Sequence, residues 1–171
     1  VFAIDRAGLV GSDGETHQGI FDLSYLSSIP GMNIMAPKNK WELADMLKYA
    51  ISFSGPIAIR YPRGEAYDEL EDVRNKIEYG KSEIVYDEED TVLVAVGSMV
   101  KTACAIRDKM KEAGKSCSII NARFVKPIDE EGILAAAKKH KKLVTLEENV
   151  ASGGFGEKVR EFLDEKNTGC Q

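Results

Sequence analysis

Short apolar runs along this chain alternate with longer stretches in which apolar residues recur every three or four positions, a pattern that predicts strands separated by helices. Val1-Phe2-Ala3-Ile4, Asn33-Ile34-Met35-Ala36 and Ile57-Ala58-Ile59 read as buried strands. Between the last two, Leu43, Met46, Leu47, Ala50, Ile51 and Phe53 fall on one helical face. Asn39 with Glu42 forms a capping-box start to that helix, and Gly55-Pro56 ends it. Strand, helix and strand in this order predict a parallel sheet.

From Glu65 to Glu89 the chain turns polar and acidic, with a short strand-like Glu83-Ile84-Val85-Tyr86 inside the tract. A second alternating unit follows. It comprises a strand over 91–96, then a helix after Ser98 in which Met99, Ala103, Ile106, Met110 and Ala113 recur and which Gly114 closes. A strand over 118–121, a helix over 130–139 behind Asp129, a strand over 143–146 and a helix from Phe155 complete it. The expectation is an α/β protein, with a parallel sheet in the first half and a second alternating α/β unit after it: residues 1–68, a linker over 69–80, and residues 81–171. The first half is too short to cover both faces of a parallel sheet, so more chain is expected before Val1. The sequence begins without methionine inside a strand, which also reads as a fragment.

Composition narrows the function classes. The 171 residues are 43% hydrophobic and carry a net charge of −5, which leaves no overall basic footprint for nucleic acid. Cys104, Cys117 and Cys170 are odd in number and form no CxxC pair, which fits a reducing, cytoplasmic setting better than a disulfide framework. No apolar run approaches a membrane span. No His/Cys/Asp/Glu set has metal-ligand spacing, and Asn39 serves better as a helix cap than as a partner to Asp13-Gly14 in a magnesium motif.

The densest chemistry lies between Asp5 and Gly19, where Arg6, Asp13 and His17 are set among glycines directly after a strand. Strand ends of a parallel sheet converge on one crevice. Arg6 ends the first strand, and Arg60 and Arg63 end a neighbouring one, so two arginines there would clamp a phosphate. The same side chains also read as ion pairs with Asp5, Asp13 or Glu65. His17 has a pKa range suited to proton transfer, and equally to a plain hydrogen-bonding role. His140, among lysines at a helix C-terminus, reads as structural. Gly97-Ser98 reads as a turn plus N-cap. Glu147-Glu148-Asn149 followed by Gly153-Gly154-Phe155-Gly156 is a strand-end loop suited to contacting a neighbouring domain or subunit.

The segments DRAGLVGSDGETHQGIFDLSYL, MAPKNKWELADML, GPIAIRYPRG, INARFVKPID and VTLEENVASGGFG together closely resemble the 1-deoxy-D-xylulose-5-phosphate synthases across essentially the whole chain. That resemblance implies the second half of a transketolase-type pyrimidine-binding domain followed by most of a transketolase C-terminal domain. It implies thiamine diphosphate and Mg2+ as cofactors, with their ligands upstream of this sequence, and pyruvate and D-glyceraldehyde 3-phosphate as substrates. A homodimer and an inert isolated fragment are implied as well. By residue, Arg6 and Arg63 resemble the family's phosphate-binding arginines, and Asp13 and His17 resemble the pair lining its reaction centre, with His17 as proton donor. Arg60 is left structural. Ser27 stands where the family commonly has arginine. Two other readings stay open: another transketolase-like enzyme, or a noncatalytic half-subunit that assembles with a partner.

Overall fold

The computed structural model describes residues 1–170. Five helices and eight strands follow in the order β1 (Phe2–Ile4), α1 (Asp22–Ser27), β2 (Asn33–Met35), α2 (Lys40–Ser52), β3 (Ile57–Arg60), β4 (Glu83–Tyr86), β5 (Thr91–Ala95), α3 (Met99–Glu112), β6 (Cys117–Asn121), β7 (Phe124–Lys126), α4 (Glu130–Lys139), β8 (Lys142–Leu146) and α5 (Phe155–Glu165) among the described residues. The architecture is α/β, as the alternation predicts. α1 and β7 lie in segments that carry too few periodic positions to be read from the pattern.

The sheets are mixed rather than wholly parallel. The first has the order β1-β3-β2-β7 and the second β4-β6-β5-β8. β1, β3 and β2 run parallel, but β7, which belongs to the second half of the chain, adds antiparallel to β2. In the second sheet β6, β5 and β8 are parallel and β4 is an antiparallel edge. Periodicity reports which residues are buried, not which strand lies alongside, so these antiparallel members escape it.

Covering of the first sheet also differs from expectation. Met35, Ile57 and Ile59 pack on one face against Met46 and Ala50 of α2. On the other face Ile34 and Ala58 enter a core shared with Val92, Val94, Val125, Phe155 and Val159, so the second half of the chain supplies that cover. Within α2 the predicted stripe is narrower than its periodicity suggests: Met46 and Ala50 are buried while Leu47 and Ile51 are exposed. The cap is half a capping box. Asn39 Oδ1 accepts from the Glu42 N–H at 2.9 Å, but the Glu42 carboxylate turns to accept from the Lys38 N–H at 2.7 Å.

That turn places Glu42 in a buried ionic cluster between the halves. Lys38 Nζ lies 2.6 Å from Glu83 Oε2 and 3.4 Å from Glu42 Oε1. Arg123 reaches Glu42 through Nε at 2.8 Å and Glu83 through Nη2 at 2.5 Å. Asn121 Nδ2 donates to both Glu42 oxygens at 2.9 Å. All four charged side chains are at most 3% exposed, and two cations balance two anions, which is the condition under which buried charge is tolerated. Burial pushes the Glu83 carboxyl up. The Lys38 hydrogen bond, the Asn75 N–H and the charges of Arg123 and Lys38 outweigh burial and hold it below the ordinary value.

The tract 61–82 has no helix or strand, yet it is strapped down rather than loose. Ile77 is buried, and the Asn75 and Lys76 carbonyls accept from Arg123 at 2.9 and 3.1 Å. His140 is buried at the end of α4, its Nδ1 2.9 Å from the Ala136 carbonyl and its Nε2 2.8 Å from Ser118 Oγ, in keeping with its structural reading.

Candidate functional site

The loop from Gly8 to Gly19 leaves the end of β1 and closes on itself at the neck. Gly8 and Gly19 exchange backbone hydrogen bonds of 3.0 and 2.9 Å. Only glycine fits either place. A Cβ on Gly19 would stand 2.1 Å from the Arg6 carbonyl oxygen, while Gly8 has φ +76° and a Cβ there would meet the Glu148 side chain at 2.6 Å. Inside the loop, Gln18 ties both limbs together: its Oε1 accepts from the Val10 N–H at 2.6 Å and its Nε2 donates to the Val10 carbonyl at 2.7 Å.

Arg6 and Arg63 come together across the ends of β1 and β3. Arg6 Nε lies 2.6 Å from Asp13 Oδ2, and Arg63 Nη1 pairs with Asp13 Oδ1. The ion-pair reading of these arginines is the one seen here: the two converge, and the group they converge on is a carboxylate of the chain. Arg6 also holds Asp5 at 2.6 Å. Its backbone adopts φ +60°, a region costly for a residue with a Cβ and often retained where a side chain must be aimed. Arg63 is half exposed, which leaves guanidinium N–H groups open to a ligand.

His17 lies on the exposed side of the loop, with Nδ1 2.9 Å from Thr16 Oγ1. It borders a depression of about 240 Å³ together with Arg6, Thr16, Asp22 and Tyr25. The structure thus brings Arg6, Asp13 and Arg63 into one ion-paired group and sets His17 on a depression that Arg6 shares.

Arg60 points the other way. Its Nε donates to Asp22 Oδ2 at 2.9 Å, and its Nη2 donates to the carbonyls of Gly19 and Glu148 at 2.6 and 2.7 Å. The pairing with Asp22 was not among the partners expected from sequence, because α1, which carries Asp22, was not visible there. Ser98 stands at the N-cap position of α3 but does not cap it with its hydroxyl. Its side chain instead donates to Glu148 Oε2 at 2.9 Å. Glu147 caps α5, accepting from the N–H groups of Phe155 and Gly156 at 2.9 and 2.8 Å. No group of three His, Cys, Asp or Glu side chains suited to a metal ion comes together among the described residues. No helix among them is long and apolar enough to cross a membrane.

Against known proteins, residues 1–68 match the transketolase pyrimidine binding domain and residues 80–170 the transketolase C-terminal domain. A protein of Lachnoclostridium phytofermentans named 1-deoxy-D-xylulose-5-phosphate synthase is 55% identical over 96% of this chain, which covers 26% of that protein. One of the same name from Halothermothrix orenii is 48% identical over 97% of this chain and 26% of its own length. This chain therefore spans about a quarter of the curated relatives it matches. Among solved structures, a chain described as a split gene transketolase, inactive beta4 tetramer, superposes with a TM-score of 0.83 at 28% identity, over 96% of this chain and 53% of that one. The transketolase of Campylobacter jejuni gives 0.76 at 19% identity, over 94% of this chain and 25% of that one, and so shares the fold. The two domain matches together span nearly the whole chain, and this chain belongs to the transketolase family, with pyrimidine-binding-domain sequence followed by C-terminal-domain sequence.

Proposed function

We propose that this chain is part of a thiamine diphosphate-dependent synthase that condenses pyruvate with D-glyceraldehyde 3-phosphate to 1-deoxy-D-xylulose 5-phosphate and carbon dioxide. The product serves isoprenoid, thiamine and pyridoxal biosynthesis. The observation that carries the reading is the meeting of Arg6 and Arg63 on one anion beside the depression that holds His17. Identity of 55% to a protein of that name supports it. The division into residues 1–68, a connecting tract over 69–80 and residues 81–171 belongs to the same proposal, as do a homodimer, Mg2+ and a cytoplasmic location.

The cofactor, when bound, supplies the carbon–carbon chemistry. The family resemblance puts the ligands of Mg2+ and of the cofactor's diphosphate upstream of this chain. What this chain contributes is the handling of the aldehyde. Arg6 and Arg63 bind its phosphate as a bidentate, charge-assisted pair, which requires Asp13 to yield the clamp. Asp13, once displaced, is a free carboxylate able to accept from a substrate hydroxyl. His17 donates a proton to the aldehyde oxygen as it takes on alkoxide charge.

The test is release of labelled carbon dioxide from pyruvate by the full-length protein loaded with thiamine diphosphate and Mg2+, with and without D-glyceraldehyde 3-phosphate, and with residues 1–171 alone as control. Release coupled to formation of the five-carbon product supports the reading. A loaded protein that makes no such product, or that takes its two-carbon unit from a sugar phosphate, overturns it.

A further inference from the structure

We infer that Arg60 is a positioning residue that fastens the neck of the Gly8–Gly19 loop to the second half of the chain, so that the C-terminal half sets where Asp13 and His17 stand. The role of those two residues rests on the function proposed above; the fastening itself does not.

Arg60 is 4% exposed, and its side-chain hydrogen bonds go to none of the residues assigned to substrate. Its three hydrogen bonds go to three separate pieces of structure: the Asp22 carboxylate at the start of α1, the Gly19 carbonyl at the loop neck, and the Glu148 carbonyl after β8. The same Gly19 carbonyl accepts the Gly8 N–H, so one oxygen closes the loop and receives the guanidinium. From the far side the Glu148 side chain lies against Gly8, closely enough that a methyl group there has no room, and Ser98 Oγ holds its Oε2 at 2.9 Å. Just past the neck, the Val150 N–H donates to the Ile20 carbonyl at 2.9 Å. The neck is thus gripped on both flanks by residues of the second half, with Arg60 as the bolt.

The chemistry suits arginine. A planar fork can serve acceptors in different directions without losing charge, whereas a lysine offers a single nitrogen. Asp22 supplies the compensating charge that a buried guanidinium needs. Its Oδ1 has no partner among the described residues, so the carboxylate owes its place to Arg60 rather than to a network of its own.

The test uses the full-length enzyme in two variants. Arg60→Met with Asp22→Asn removes the pair without stranding a buried charge. Arg60→Lys keeps the charge and loses the fork. Two readouts are taken: cleavage by a glutamate-specific protease at Glu15, relative to cleavage at glutamates elsewhere, and the separate kcat and KM for the aldehyde phosphate. The expected result is cleavage at Glu15 at least tenfold faster and kcat at least tenfold lower in the double variant, with Arg60→Lys recovering part of both. If Glu15 is cleaved no faster than in wild type in either folded variant, the fastening is overturned. Should the double variant fail to fold, Arg60→Lys alone decides, since its charge balance is unchanged. If Glu15 opens while Arg63→Ala and His17→Ala leave turnover intact, the fastening stands and the proposed function falls.

Discussion

Replacing Glu83 by glutamine should unlock the joint between the two halves, and the size of the effect follows from its surroundings. Glu83 Oε2 accepts from Lys38 Nζ and Asn121 Nδ2, and Oε1 accepts from Arg123 Nη2 and from both the backbone and side-chain nitrogens of Asn75. A glutamine has one acceptor oxygen and one donor nitrogen. Whichever way its amide turns, the nitrogen faces an ammonium and an amide, or a guanidinium and two N–H groups. The substitution also leaves two buried cations against the single anion Glu42. Breaking one partner of a buried ionic group costs about 3–5 kcal/mol. For a cooperative unit of 150–250 residues each kcal/mol corresponds to roughly 2–4 °C, so the midpoint of the transition that unfolds these two domains should fall by about 6–20 °C. The assay is urea and thermal unfolding of the full-length protein, wild type against Glu83→Gln, with Glu65→Gln on the exposed surface as control. A loss below about 1 kcal/mol would refute the reasoning, because it would mean that water reaches the cluster and screens it.

Acid should reproduce that loss. Glu83 and Asp129 both titrate below their ordinary values: burial pushes each up, but Lys38 and Asn75 in the first case, and the Ser82 and Gly132 donors with Lys81 in the second, outweigh it. A depressed carboxyl contributes stability in full above its unfolded value, 4.5 for Glu83, and loses it as pH falls through the lower folded value. Unfolding free energy measured from pH 6 to 3 should therefore drop below about pH 4.5, and less steeply in Glu83→Gln. Arg63→Ala in the full-length enzyme should raise KM for the aldehyde phosphate at least about tenfold, a charge-assisted hydrogen bond being worth roughly 1.5–3 kcal/mol; an unchanged KM removes Arg63 from the phosphate site. His17→Ala should lower kcat by about 10² to 10⁴, and a change in KM alone would assign it to binding rather than proton transfer. Gly19→Ala, whose methyl would stand 2.1 Å from the Arg6 carbonyl, should break the loop neck and cost activity even where circular dichroism shows a folded protein.

Legibility in the sequence followed the physics of burial. Strands such as Ile57–Arg60, and Thr91–Ala95 from its second residue on, are buried and announce themselves as apolar runs. Asn39 announces the start of α2, because capping is a local event. α1 did not show, being only six residues long and lacking a side-chain cap. Nor did β7, three residues whose partner β2 lies about 90 residues earlier. The site followed the same division. Arg6, Asp13, His17 and Arg63 could be singled out because charged groups among glycines at strand ends have a chemical reading. That both arginines meet on Asp13, and that Arg60 turns away to Asp22 and Glu148, depends on side-chain directions that spacing does not encode.

The antiparallel addition of β7 to β2 bears on how such proteins can be divided. The two domain matches meet in the tract 69–79, which invites cutting there. A product ending at residue 68 would carry β2 with one edge stripped of its partner and one face of its sheet stripped of Phe155, Val159 and Val125. An unpaired edge beside an uncovered apolar face is a template for self-association. Expression of the first segment alone should therefore yield aggregates, and co-expression of the second segment as a separate chain should rescue it by donating that strand. In recombination and chimera building the two halves therefore have to travel together: a break at 69–79 strips β7 from β2, and one after Lys126 would strip β8 from β5.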